Sequence, residues 1–232
     1  MISFVFLSIL VAVTATVHDP MINEGLFEGD ILGVDPYDRN AIPNDNQRWP
    51  GGVVPYVIMS DVEHLRTSIQ SAMRHIEQNS CVRFVQRSNQ QDYIKIFSHT
   101  GCYSHWGRIG GEQLLSLAGG CEPFGTIVHE LLHAIGFEHE HNRSDRDDYL
   151  TVNWQNIEEK WFYAFRKLAP NENRLLTGFD FSSIMLYGSN SFAKQWGKYS
   201  MVGKDGRVLQ EVYDKKAMSQ SDADRIRKLY QC

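Results

Sequence analysis

His129-Glu130-Leu131-Leu132-His133-Ala134-Ile135-Gly136-Phe137-Glu138-His139 is the stretch on which the reading of this chain turns. Its pattern predicts a helix over residues 123–135. At about 100° per residue, His129 and His133 fall within about 40° of each other on one face. Glu130 sits at the edge of that face, while Ile127, Val128, Leu131, Leu132, Ala134 and Ile135 fill the other side. Gly136 is the residue type that ends a helix at positive φ. A turn there would bring His139 back beneath the two imidazoles. Three His with one open position is the ligand set of a catalytic zinc. Such an ion lowers the pKa of its water to about 7. Glu130 is the adjacent group able to take a proton from that water and pass it to a leaving amine.

Working outward, the chain has 232 residues, enough for one catalytic domain plus processing segments. Formal net charge is −5 with no basic cluster, which argues against nucleic-acid binding. Residues 1–15 read as a secretory signal: Phe4 to Val13 is apolar except for Ser8, and Val13-Thr14-Ala15 offers small residues for cleavage. No later stretch is long and apolar enough to be a membrane anchor. Cys81, Cys102, Cys121 and Cys232 imply disulfides in a secreted chain. Four cysteines allow three pairings, and their spacing does not choose among them.

Residues 16–39 are acidic and turn-rich and include Phe27-Glu28-Gly29-Asp30-Ile31. They read either as a flexible leader or as a pro-segment whose carboxylate takes the open metal position. In the second case Arg39 is a processing site for a trypsin-like protease. Val53 to Ile58, Val82 to Val85 and Tyr93 to Phe97 read as strands. Ser60 with Glu63 reads as a capping box opening a helix to about Gln78, with Val62, Leu65, Ile69, Met73 and Ile76 on its apolar face. Glu112 to Leu117 reads as an edge strand, one that an extended substrate main chain could join, or as a plain ribbon. The Arg/Asp alternation over residues 143–148 is either a solvated loop or a buried ion-pair network fixing the turn that carries His139. Asn142-Arg143-Ser144 matches a glycosylation acceptor. The aromatics Tyr149, Trp154, Trp161, Phe162, Tyr163 and Phe165 read as core. A last helix is expected over Ser221 to Tyr230, followed by Cys232.

These residues resemble the astacin family of secreted zinc metalloendopeptidases over nearly the whole chain. The resemblance is carried by His129-Glu130-x-x-His133-x-x-Gly136-x-x-His139-Glu140, by Arg143-Ser144-Asp145-Arg146-Asp147 and by Ser183-Ile184-Met185-Leu186-Tyr187. Trp49-Pro50 and the ending Leu229-Tyr230-Gln231-Cys232 add to it. It implies an α+β, zincin- and metzincin-like catalytic domain of two lobes. These would be an N-terminal twisted mixed sheet with two long helices, and an irregular C-terminal lobe ending in a helix. The implied organisation is signal peptide 1–15, pro-segment 16–39 and peptidase domain 40–232, with the lobes meeting near residues 139 and 140. One Zn²⁺ per subunit is implied, held by His129, His133 and His139, with Tyr187 as a further ligand at rest that swings to stabilise the oxyanion. Met185 would lie in a turn flooring the imidazoles. Asp30 would ligate zinc in the zymogen. Cleavage near Arg39-Asn40 would send the new amino terminus toward Glu140. The implied bridges are Cys81–Cys232 and Cys102–Cys121.

Two positions depart from the family pattern. Leu186 stands where many relatives carry His, and Phe179-Asp180-Phe181 replaces Tyr-Asp-Tyr. Both changes predict altered hydrogen bonding around the site rather than lost activity. The expected protein is a minimal, monomeric member without further modules: a secreted endopeptidase acting on extended protein or peptide substrates through a zinc-bound water activated by Glu130. A non-catalytic binding protein that keeps the fold is the rival, and it would be expected to lack Glu130 or a ligand His.

Overall fold

The computed structural model describes residues 19–34 and 45–232. The signal segment and the Arg39-Asn40 processing site lie outside them. The architecture is α+β, as expected. Six strands form a mixed sheet: β1 (Ile31–Leu32), β2 (Val53–Ile58), β3 (Arg83–Gln86), β4 (Tyr93–Phe97), β5 (Cys102–His105) and β6 (Glu112–Leu117). Their spatial order is β1-β5-β6-β4-β2-β3. β5 pairs antiparallel with β6, and the other pairings are parallel. In β4, Ile94 and Ile96 are buried while Tyr93, Lys95 and Phe97 are only half-buried, the period-2 signature of a strand.

Two helices, α1 (Arg66–Asn79) and α2 (Phe124–Ala134), pack on each other and against this sheet. α1 buries Ile69, Ala72, Met73 and Ile76. The Ser60/Glu63 capping box does not form. Ser60–Leu65 is a 3-10 turn in which Val62 leaves helical backbone angles, and the Glu63 carboxylate binds the Arg66 guanidinium. The paired cation, three residues along the chain, outcompetes a neutral backbone amide for the carboxylate. Val62 and Leu65 are nevertheless buried, so the apolar stripe continues through the turn.

Glu112 to Leu117 is a strand, as read, but not an edge. β6 lies between β4 and β5, and its register with β4 runs from Tyr93↔Glu112 to Phe97↔Ser116. The outer position belongs to β5, and β1 covers it through Ile31↔Ser104 and Leu32↔His105. Cys102-Tyr103-Ser104-His105 has weak strand character beside the Gly-rich residues around it, so its place at the edge is not legible in the sequence.

The second half of the chain is irregular apart from β7 (Leu150–Val152), its antiparallel partner β8 (Met201–Gly203) and α3 (Gln220–Tyr230). Here Phe165 is fully buried, edge-on to Phe192 at 5.3 Å, and Tyr149 stacks on Phe179 at 4.7 Å. Trp154 and Phe162 meet edge-to-face at 5.1 Å but are 41% and 37% exposed, so they are not core as expected. α3 carries a true capping box: Ser219 Oγ accepts the Asp222 amide, and Asp222 Oδ2 accepts the Ser219 amide. Cys81 is bonded to Cys232 and Cys102 to Cys121. The first bridge spans 151 residues, and closing a loop of that size stabilises the fold by about 5 kcal/mol in the chain-entropy account.

Candidate metal centre

α2 is apolar on nearly all sides and buried from Gly125 to Ala134, which is how a helix behaves when it runs through a core. His129, Glu130 and His133 are buried with it. Gly136, at φ +107°, turns the chain where a side chain would be strained. His139 then returns toward the helix. The three Nε2 atoms lie 3.0, 3.1 and 3.2 Å apart. That spacing is near the edge of a tetrahedron built on metal–nitrogen bonds of about 2.0 Å, which is about 3.3 Å.

The other nitrogen of each ring has its own acceptor. His129 Nδ1 is 2.8 Å from the Ile184 carbonyl and His133 Nδ1 is 2.7 Å from the Phe137 carbonyl. His139 Nδ1 is 2.6 Å from Glu28 Oε2. An acceptor at Nδ1 fixes the proton there and leaves the Nε2 lone pair facing the common point. Three imidazole nitrogens meeting at one point suit a soft-to-borderline cation, which displaces any proton held there.

Asp30 completes the cluster from the other side. Its Oδ2 is 3.2 Å from His129 Nε2, and its Oδ1 is 3.3 Å from Nε2 of both His133 and His139. Asp30 Oδ1 makes no hydrogen bond and is fully buried. Together the four residues form a His₃Asp set fitted to zinc. Burial alone would push Asp30 up, but His139 and His133 beside it hold its carboxyl well below the usual range. Burial drives His129 down to about 3. His139 is buried too, yet Asp30 and Glu28 on either side of its ring bring it up to about 9.

Tyr187 Oη is 2.5 Å from Asp30 Oδ2 and 3.2 Å from the Met21 carbonyl, so its single proton serves two acceptors of residues 19–34. Its ring stacks on His139 at 4.6 Å. Burial and the Asp30 charge push its phenol well up. Glu130 is fully buried with neither oxygen hydrogen-bonded. Burial, then the charges of Asp30 and Asp19, push it well above the usual carboxylate range.

The segment Ser183-Ile184-Met185-Leu186-Tyr187 is pinned from three directions. The Ile184 carbonyl holds His129, and the Met185 carbonyl accepts the Glu140 amide at 2.9 Å. Asp222 accepts Ser183 Oγ at 2.6 Å and the Ile184 amide at 2.9 Å. Lys215 Nζ, buried, donates to the carbonyls of Ser183 and Leu186. Glu140 Oε1 accepts the Asp180 amide and Arg225 Nη2, and its Oε2 meets Arg225 Nη1 at 2.6 Å. Arg143 joins this network, and Arg146 is buried as well, while Asp147 stays exposed. The Arg/Asp run is therefore partly a buried network and partly surface.

Glu28, Lys215, Asp222 and Arg225 were not singled out from the sequence. For the last two a signal existed: Asp222, Arg225, Ile226 and Leu229 fall at helical spacing on the buried face of α3. The Asn142 amide is buried, donating to Glu28 Oε1 at 2.6 Å and to the Ala164 carbonyl at 3.1 Å, so this fold has no room for a glycan on it.

Comparison with known proteins agrees with this geometry. The family model "Astacin (Peptidase family M12A)" matches residues 41–231. The chain is 40% identical over 223 residues to astacin-like metalloprotease toxin 1 of Loxosceles intermedia, covering 93% of this chain and 84% of the toxin. It is 41% identical over 216 residues to high choriolytic enzyme 1 of Oryzias latipes, covering 89% of this chain and 78% of the relative. The solved structure of that hatching enzyme superposes with a TM-score of 0.73 at 40% identity, covering 84% of this chain and 97% of the other.

Proposed function

The chain belongs to the astacin family of zinc metalloendopeptidases, and on that premise we propose that it is secreted and made as a latent precursor blocked by Asp30. Bound zinc would be held by His129, His133 and His139 and would supply Lewis-acid polarisation of the scissile carbonyl and of the attacking water. Glu130 takes the proton of that water and delivers it to the leaving nitrogen. Its buried, unpartnered carboxylate, with affinity for protons raised by burial, suits a base that must also act as an acid. Tyr187 donates its phenol proton to the oxygen on which negative charge develops, once Asp30 no longer accepts it.

The observation that carries the latency reading is the Asp30 carboxylate lying 3.2 to 3.3 Å from all three Nε2 atoms. β1 meanwhile covers β5, the strand whose free edge an extended substrate would use. These contacts support residues 16–39 as the pro-segment and residues 40–232 as the peptidase. Cleavage after Arg39 by a trypsin-like protease frees both the metal face and the sheet edge. The new amino terminus then enters an open pocket lined by Glu138, Glu140, Arg143 and Arg225. Secretion rests on the residues 1–15 signal and on the two disulfides. Among the described residues no helix is long and apolar enough to cross a membrane.

The deciding experiment is Asp30→Ala in a precursor whose Arg39 is also made uncleavable. Hydrolysis of casein by this protein, inhibited by 1,10-phenanthroline, is the expected result. Complete inactivity of a folded, zinc-loaded variant would remove Asp30 as the block.

A further inference from the structure

Two of the three ring-orienting contacts are permanent, and one is not. His129 and His133 lean on backbone carbonyls of Ile184 and Phe137, within residues 124–187 of the peptidase fold itself. His139 leans on Glu28, a side chain of the segment that activation would remove. Glu28 is fully buried, and both of its oxygens are used: Oε2 at 2.6 Å from His139 Nδ1 and Oε1 at 2.6 Å from Asn142 Nδ2. The backbone goes out of its way to place it. Glu28 sits at φ +53°, a left-handed conformation uncommon for a residue with a side chain, and Gly29 follows at φ +98°. These two left-handed residues, of which only Glu28 is strained, put the Glu28 and Asp30 carboxylates on opposite sides of one imidazole.

We propose that Glu28 is a positioning residue for the metal, acting through His139, and that the pro-segment is thereby a zinc-loading device as well as a block. A carboxylate on the far nitrogen of a ligating His fixes its tautomer and strengthens it as a donor, and removing such a partner weakens metal binding about 10–100-fold. The precursor therefore offers a closed set of four protein ligands with every imidazole oriented. The cleaved enzyme keeps the three imidazoles, with Tyr187 released from Asp30, but His139 has lost its acceptor. Zinc is captured tightly at the precursor stage and held less tightly afterward. This rests on residues 16–39 being a removable pro-segment.

Zinc affinity, read by competition with a chromophoric chelator, tests the idea on four proteins: wild-type precursor, Glu28→Gln precursor, Asp30→Ala precursor and cleaved enzyme. The expected order places Glu28→Gln about 10–100-fold weaker than wild type while Asp30 is intact and the protein stays latent. Enzyme cleaved from the Glu28→Gln precursor is chemically identical to wild-type enzyme and should match it. A Glu28→Gln precursor that binds zinc as tightly as wild type overturns the proposal, whether or not Asp30→Ala shows a loss. Latency and affinity are separate readouts. An inactive Asp30→Ala precursor would sink the blocking role without touching the Glu28 result.

Wild-type protein gives a second test should the variant fold poorly. In zinc-loaded, ¹⁵N-histidine-labelled precursor, one imidazole Nδ1–H should resonate well downfield of the others, and cleavage should move that signal furthest upfield, since it alone loses its Nδ1 acceptor. An Nδ1–H spectrum unchanged by cleavage would refute Glu28 as the partner of His139.

Discussion

The Ser104 amide donates to the Asp30 carbonyl at 2.9 Å, so the residue whose side chain faces the metal ligands is also stitched by its backbone to the sheet edge. Main chain and side chain of one residue thus close two different features, the outer edge of β5 and the point where three imidazoles meet. The β1 pairing is parallel to β5, and β5 itself runs antiparallel to the rest of its neighbours through β6.

Gly29→Ala should loosen the precursor and leave the cleaved enzyme untouched. A Cβ there would lie 2.8 Å from Phe192 Cζ and 3.3 Å from the Met21 carbonyl, on backbone at φ +98°. Strain of this kind costs about 1–3 kcal/mol. The uncleaved variant should therefore show roughly 5- to 150-fold more background hydrolysis than the wild-type precursor. Equal latency in a peptide-hydrolysis assay would mean that the seating of this segment does not depend on its turn.

Glu130→Gln removes the proposed base while keeping the shape of the buried side chain. Turnover of the processed enzyme should fall by at least about 10²–10⁴-fold, with zinc stoichiometry unchanged by metal analysis. Retention of near-normal kcat would require a different proton acceptor.

Arg225→Met should destabilise the fold well beyond an ordinary surface change. Glu140 and Arg225 are both buried and doubly bonded, and removing the guanidinium leaves Glu140 Oε2 unpaired, with Oε1 held only by Arg143 and the Asp180 amide. Breaking a buried pair in this way costs about 3–5 kcal/mol. Urea unfolding of the precursor is the measurement. A loss below about 1 kcal/mol would show that water or Arg143 replaces the missing partner.

Lys215 gives the stability a pH dependence of defined sign. Burial lowers its pKa to about 8 from an ordinary 10.5, against the pull of Asp222 and Glu211. The folded protein therefore releases this proton before the unfolded chain does. Between about pH 8 and 10.5 the unfolded chain binds more protons, so this group makes stability rise with pH across that window. Compared at pH 7.5 and 10, wild type should gain on the order of 2–3 kcal/mol relative to Lys215→Met. Parallel pH profiles for the two proteins would place the Lys215 charge in a better-solvated site than its burial suggests.

Much of the site was written in one run of eleven residues. His129 and His133 share a helical face because of the residue period, and Gly136 permits the turn that returns His139. These are local consequences of spacing. The strands Val53 to Ile58 and Tyr93 to Phe97 were legible for the same reason, through alternation of apolar side chains. The edge of the sheet was not. Which strand lies outermost depends on pairing between residues distant in sequence, and Cys102 to His105 carries little propensity of its own. The Ser60/Glu63 pattern misled because Arg66, also local, binds the same carboxylate.

By itself, then, the order of residues determined that three imidazoles and a carboxylate would converge from one helix and its turn, since rotation per residue is a property of the backbone alone. Only the folded chain decided what stands behind each imidazole: Ile184 for His129, and Glu28 for His139 across 111 positions of sequence. Hydrogen-bond partners of buried groups are chosen by which surfaces the core brings together, and no spacing along a chain encodes that.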